Sequence, residues 1–240
     1  IYYTANASEA AINSNITLGN YGPVAVDGYM RDDGAGNNVV GHRRRLLYSR
    51  AQIMGTGDVP AVSPYFSSNA LWVKGDYKAA PVPQFVAWPN RGYVPVNLAP
   101  ARWSLSYPGA DFATATVTMT QGAANVPTTI ISSVDLYGDN TLVWTPAGIP
   151  ASVGVDTPYN VTVSGISGAG VPASYSYTVT LFDPNVLGDS VTVAGSNTPP
   201  TTGAAYTFNG IAQADAYESR VATPSAAAWS EGAEDPSAQI

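Results

Sequence analysis

Cysteine is absent from this 240-residue chain, histidine occurs once, and charged side chains make up only 11% of it. The first absence removes disulfide frameworks and thiol chemistry and leaves the redox compartment open. The second puts any imidazole chemistry on His42 alone. The third compares with roughly 25% in an average soluble protein, so Ser, Thr, Asn, Gly and Tyr must cover the surface. So few charges give little self-repulsion, which favours an extracellular or assembly-forming protein over a cytosolic enzyme. No apolar run approaches the ~20 residues of a membrane span, and no secretory signal is present. The chain opens IYYTANASEA without an initiator methionine, which reads as processing from a longer precursor or as a fragment.

The charges that are present lie unevenly. Residues 1–102 carry nine of the ten basic residues and a net charge of +3, whereas residues 103–240 carry only Arg220 and a net −10. Opposite signs at the two ends suit two domains of different origin, or head-to-tail contacts between copies. The overall charge of −7 and the lack of a long basic face argue against nucleic acid as a partner.

Four stretches follow one another. In residues 1–59, GPVAVDGYMRDD predicts a short helix with Pro23 in its first turn and a stop at DDGAGNN. RRLLYSR and QIMGTGDV read as strands, and IYYTANA has strong β propensity. Residues 60–103 place a proline every few positions among Phe85, Trp88, Tyr93 and Trp103, predicting an aromatic-packed connector with short edge strands. Residues 104–184 hold FATATVTMTQG, TTIISSVDL, NTLVWTPA, YNVTVSGISG and ASYSYTVTLFDP, which alternate apolar and polar positions between Gly, Pro, Asn and Asp turns. That is the pattern of an antiparallel sandwich. In NVTV and SYTVTLF the Val, Tyr and Leu positions are expected to face the core. Within this module acid–base chemistry would rest on Asp111, Asp135, Asp139 or Asp156, none with a partner evident in the sequence. Residues 185–240 begin with one further candidate strand, pass through a Thr/Pro/Gly linker and end in ADAYESRV and AAAWSEGAE, an extension expected to dock on a neighbour or to begin another domain.

VAVDGYMRDDGAGNNVVGHRRRLLYSRAQIMGTGDV resembles the C-terminal half of a CAP (SCP-like) superfamily domain. Its elements are the aromatic Tyr29 ending a helix, Gly41-His42-Arg43, the apolar Leu46-Leu47-Tyr48, and Gly55-Thr56-Gly57, across roughly residues 9–58. The resemblance implies a cleft built from two histidines and acidic residues, sometimes holding zinc, in a family that also includes lipid binders and secreted interaction proteins. His42 matches the Gly-His histidine. The family's other histidine belongs to the earlier half of the domain, Ser14 stands where a glutamate is expected, Asn15 and Gly19 keep register, and Glu9 lies too far upstream. Zinc needs three or four ligands and a hydrolytic dyad needs a nucleophile with an oriented base, so His42 is expected to be structural and vestigial, with no cofactor. SYPGADF, YGDNTLVWTP and SYTVTLFDP look like the Ig-like module that follows CAP-type domains in secreted bacterial proteins. The fold expectation is therefore mainly β: a partial α/β CAP-like unit followed by an antiparallel Ig-like β-sandwich.

Smaller signals complete the reading. With Arg43 and Arg45 on one face of a strand and Arg44 on the other, at least one face would be solvated or paired with carboxylates such as Asp32 and Asp33. Asn6, Asn15 and Asn160 head Asn-x-Ser/Thr triplets and are candidate glycan acceptors. DLYGDN, with Asp135, Asp139 and Asn140, could cradle calcium or form an ordinary turn. Ile1, Tyr2, Tyr3 and Trp229 are candidate assembly segments. Together these point to a non-catalytic extracellular or cell-surface structural or adhesive protein, self-associating, with a head-to-tail filament as one form of that assembly. The competing expectations are a glycan- or lipid-binding module at a bacterial surface, with cell-surface glycans as partners, and a CAP-type hydrolase or metal site on His42.

Overall fold

The structure is a computed structural model that describes residues 4–185 together with the backbone of two short strands at 192–194 and 207–209. The protein is mainly β, with several antiparallel sheets. Two units divide at Pro184 and Asn185. In the second, β13 (Thr192–Ala194) pairs antiparallel with β14 (Thr207–Asn209). Of the candidate assembly residues, Ile1, Tyr2, Tyr3 and Trp229 lie outside the described residues.

The first element of the described residues is α1 (Ala5–Asn13), so that Ala5, Asn6 and Ala7 of the β-prone IYYTANA are helical. Thr4 caps it, its Oγ1 accepting from Ala7 N at 3.1 Å, and four alanines in ANASEAAIN supply the strongest helix propensity of any residue. β1 (Ser14–Leu18) follows. The expected helix is present as α2 (Pro23–Arg31), opened by Pro23 and closed by Asp32 in the left-handed region at φ 52°. Gly41–Leu46 forms a third helix, α3, where a strand was expected. The segment holds no β-branched residue, and Arg and Leu are good helix formers, so nothing in it resists the turn.

β1, β2 (Gly55–Val59) and β3 (Ser68–Trp72) make an antiparallel sheet in the order β1-β3-β2. Ile16, Ala70 and Gly57 share one row of the register, and Leu18, Ser68 and Val59 the next. One face packs on α2 through a core of Ala25, Tyr29, Leu71 and Val73. Residues 60–103 thus supply β3, and they also supply β4 (Val86–Trp88) and β5 (Gly92–Pro95) to the sandwich that follows.

There β6 (Trp103–Tyr107), β10 (Asn140–Pro146) and β9 (Thr128–Ser132) join β4 in the order β4-β6-β10-β9. The facing sheet runs β5-β12-β11-β7-β8, adding β7 (Thr116–Gln121), β8 (Ala124–Val126), β11 (Thr157–Ser164) and β12 (Ser174–Phe182). β5 runs parallel to β12. Both proline-flanked strands, β4 and β5, sit at sheet edges, where a missing N–H breaks no ladder. All five alternating runs became strands. Tyr159, Val161, Val163, Tyr177, Val179 and Leu181 point inward as the alternation predicted, onto Trp103, Leu105, Leu142 and Trp144 of the other sheet.

Candidate functional site

α3 places its residues where the three-stranded sheet meets the sandwich. Asp32 ends α2 in a left-handed turn, which aims its carboxylate at the start of α3. There Oδ2 accepts from His42 N at 2.9 Å and Arg43 N at 3.2 Å. Oδ1 accepts from His42 Nδ1 at 2.7 Å and from Asn37 Nδ2. A carboxylate in contact with the first amides of a helix satisfies donors that have no partner within the helix. Val40 precedes α3 with φ 45° and a fully buried side chain. Such a conformation in a β-branched residue costs about 1–3 kcal/mol and persists because Val40 N bonds to Asn37 O and Val40 O accepts from Arg44 N.

The His42 side chain is 46% exposed, against 1% for Asp32. Its hydrogen bond to Asp32 holds the imidazole pKa above its ordinary value, with partial burial and Arg45 pulling the other way. The ring lies 5.6 Å from that of Tyr29. Behind it runs a polar network that is buried at Tyr29, Asn15 and Asn69 and reaches the surface at Thr56 and Asp58: Tyr29 Oη donates to Asn15 O or Asn69 Oδ1, at 3.1 and 2.9 Å, and Asn69 Nδ2 donates to Thr56 Oγ1 and Asp58 Oδ1. Burial, with a smaller contribution from Asp58, pushes the Tyr29 hydroxyl up to about 12. Bonds from Gly22 N and Asn69 hold Asp58 below its ordinary value.

Chemically, a carboxylate on Nδ1 fixes the ring and leaves Nε2 turned away from it, the arrangement of an oriented base or of a metal ligand with its supporting carboxylate. A hydrolytic site needs a nucleophile beside that nitrogen. Among the described residues no three His, Cys, Asp or Glu side chains group as a metal site would require. His42 was visible in the sequence. Asp32 was visible only as a partner for the arginines, and the signal for its real role is the Asp-Asp-Gly stop ahead of Gly-His.

The arginines differ from expectation most. Arg43 and Arg44 are neither solvated nor ion-paired with Asp32 and Asp33; they are buried and donate to oxygens that carry no charge. Arg43 reaches Met30 O at 2.6 Å, Arg31 O at 2.8 Å, Arg102 O at 2.8 Å and Ser104 Oγ at 3.2 Å. Arg44 reaches Tyr137 O, Val134 O and Asp139 O at 2.7, 2.8 and 3.1 Å. Burial pulls Arg43 down to about 10, which leaves it charged at neutral pH, and lowers Arg44 as well. Arg45 lies 4.6 Å from the Tyr137 ring centre, and Arg31 takes Asp33 at 3.2 Å on the surface. Helical geometry turns adjacent residues to different sides, so Arg43 faces β6 and Arg44 the loop before β10.

That loop is DLYGDN. Asp139 Oδ2 accepts from Ser49 N at 2.9 Å, and a Cβ at Gly138, φ 63°, would lie 2.7 Å from Arg44 O. The loop is a seat for α3, and Asp139 has the partner the sequence did not reveal. Asp111 caps the Ala113 amide. Among candidate glycan acceptors, Asn6 is exposed on α1 and Asn160 exposed on β11, its Oδ1 accepting from Thr178 Oγ1. Asn15 is corrected: it is 3% exposed and donates to His42 O at 3.1 Å, closed to a glycosyl donor in the folded chain.

What the fold and site define is a mainly β protein whose lone histidine is locked to a buried carboxylate. No protein-family model matches the chain, and no curated protein matches it. Among the described residues no helix is long and apolar enough to cross a membrane.

Proposed function

We propose that this chain is a non-catalytic structural or adhesive protein of the cell exterior that associates with copies of itself. It would be built from the second half of a CAP-like unit and an Ig-like sandwich. The observation that carries it is the three-stranded sheet. One face packs on α2, the other presents Ile16, Leu18 and Val59 to solvent, and β2 is an edge strand exposed along all five residues. Open edges and apolar faces are what associating β proteins use and what monomers cover. For the CAP-like half, the support is the order β1-α2-α3-β2-β3 carrying Asn15, Tyr29, Gly41-His42-Arg43 and Gly55-Thr56-Gly57. For the Ig-like part it is the two strand orders, β4-β6-β10-β9 against β5-β12-β11-β7-β8, which follow the A-B-E-D and G-F-C pattern of that fold. Sedimentation velocity and electron microscopy of the full chain test the reading. Species larger than a monomer are expected, and a single monomeric species at high concentration overturns it.

A neutral-glycan-binding role is the second reading. The outer face of the five-stranded sheet offers a row of hydroxyl and amide groups, with Thr178 on Asn160 at 2.8 Å and Thr162 on Ser176 at 2.9 Å, beside the Tyr93–Phe182 ring pair. Co-sedimentation with insoluble polysaccharides tests it, and a chain left wholly in the supernatant counts against it.

A further inference from the structure

The self-association just proposed leaves open which surface two copies share. On the outer face of the three-stranded sheet the register sets three rows: Ser14, Trp72 and Gly55; Ile16, Ala70 and Gly57; Leu18, Ser68 and Val59. None of these nine positions is charged. Relief across the sheet is uneven. β1 raises Ile16 and Leu18 as a ridge, the latter 74% exposed. On β2, Gly55 and Gly57 leave a furrow in which an added Cβ would meet nothing within 4 Å. Beside Trp72 and Ala70 the furrow opens into a groove of about 530 Å³.

We infer that two copies of this chain stack through this face, related by a two-fold axis parallel to the strands, so that the β1 ridge of each copy fills the β2 furrow of the other. The axis reverses the order of strands but keeps each row at its own height. It therefore sets Ile16 of one copy on Gly57 of the second, Leu18 on Val59, and Ala70 on its own counterpart. Sheets facing each other at about 10 Å pack by this kind of interdigitation. The occupant is a second copy because the nine uncharged row positions meet their own counterparts without repulsion, although each chain carries a net −7 and Asp76 lines the groove beside Trp72. The loop between β2 and β3 adds Val62, Tyr65 and Phe66, each at least 66% exposed, at the Leu18 end. With Ile16, Leu18 and Val59 these side chains offer roughly 800 Å², the amount one partner contributes to a stable interface of standard size. An isologous contact of this kind closes after two copies. A longer assembly therefore needs a second, different surface.

The test is sedimentation velocity on the full chain, its Ile16→Glu variant, its Gly57→Leu variant, and the double variant Ile16→Glu with Gly57→Lys. The expected result is a dimer for the natural sequence. Association should weaken at least tenfold in each single variant, with the circular dichroism spectrum unchanged because both positions face solvent. It should return in the double variant, where each glutamate meets the lysine of the other copy. Association undiminished by Ile16→Glu overturns this surface while leaving self-association standing. Loss without rescue overturns the ridge-on-furrow geometry. A natural chain that is monomeric at every concentration, as it would be if another segment or a different protein covered the face, overturns both the surface and the self-association reading.

Discussion

Between Trp103 and Phe182 two sheets close over a continuous core in which Trp103, Leu105, Leu142, Trp144, Val163 and Val179 have no solvent-exposed surface. Between Ser14 and Trp72 one sheet closes on one side only, over four buried apolar residues, and a network of Tyr29, Asn15, Asn69 and Asp58 does much of the joining. The first region is held by area removed from water, which is insensitive to direction. The second is held by directed bonds, which fix geometry but contribute about 1 kcal/mol each. The difference explains why the sandwich can be charge-poor and unremarkable in sequence while the smaller region needs particular residues at particular places.

Substitutions should separate the two. Trp144→Ala, which empties the centre of the sandwich, is expected to cost about 3–5 kcal/mol, read by urea unfolding with far-ultraviolet circular dichroism. Arg43→Met leaves the carbonyls of Met30, Arg31 and Arg102 without their donor and is expected to cost about 3 kcal/mol. Here hydrogen exchange should show α2, α3 and the three-stranded sheet opening before the sandwich, whereas Trp144→Ala should lower both together. Equal opening of both regions in Arg43→Met would mean that the joint is not where they separate.

Tyr29→Phe probes the directed bonds themselves. It keeps the ring in place and leaves Asn69 Oδ1 without its 2.9 Å donor, for an expected loss of about 1–2 kcal/mol in the same unfolding measurement. The smallest effect belongs to His42. Its folded pKa is raised by the bond to Asp32, so the stabilisation is complete below the ordinary value of 6.5 and fades as pH rises through the elevated one. With the ring half exposed, the change in stability is small, and nuclear magnetic resonance titration of the imidazole is the suitable readout. Asp32→Asn should bring that titration down toward 6.5, and a midpoint that does not move would show that Asp32 is not what holds it up.

The same division decides what the sequence could reveal. The strands of the sandwich are written in alternation, so NVTV and SYTVTLF announce both the elements and their inward faces. α2 is written in Pro23 and in the DDGAGNN stop. α3 was not read correctly because Leu46-Leu47-Tyr48 looks like a strand core when taken alone. The better guide was the absence of β-branched residues from Gly41 to Leu47. The Asp32–His42 contact depends on two left-handed residues, Asp32 and Val40, and no periodicity marks those. Nor does any local pattern show that a run of arginines will point inward, since their acceptors lie as many as 95 positions away.

Those acceptors have a consequence for how the protein can change. Apart from Ser104 Oγ, every oxygen that Arg43 and Arg44 grip belongs to the main chain, and a peptide carbonyl is the same whatever side chain it carries. Residues 30 and 134 can therefore drift in identity without loosening the joint, as long as the loop keeps its path and Gly138 its room, whereas Arg102 donates from its own side chain to Asp32 O and Gly34 O and the Tyr137 ring receives Arg45. A library randomised at these two positions should return mostly folded members, while one randomised at Arg43 and Arg44 should return few: much of the lock is specified from the helix side, and the loop beneath Arg44 is read by its path more than by its side chains.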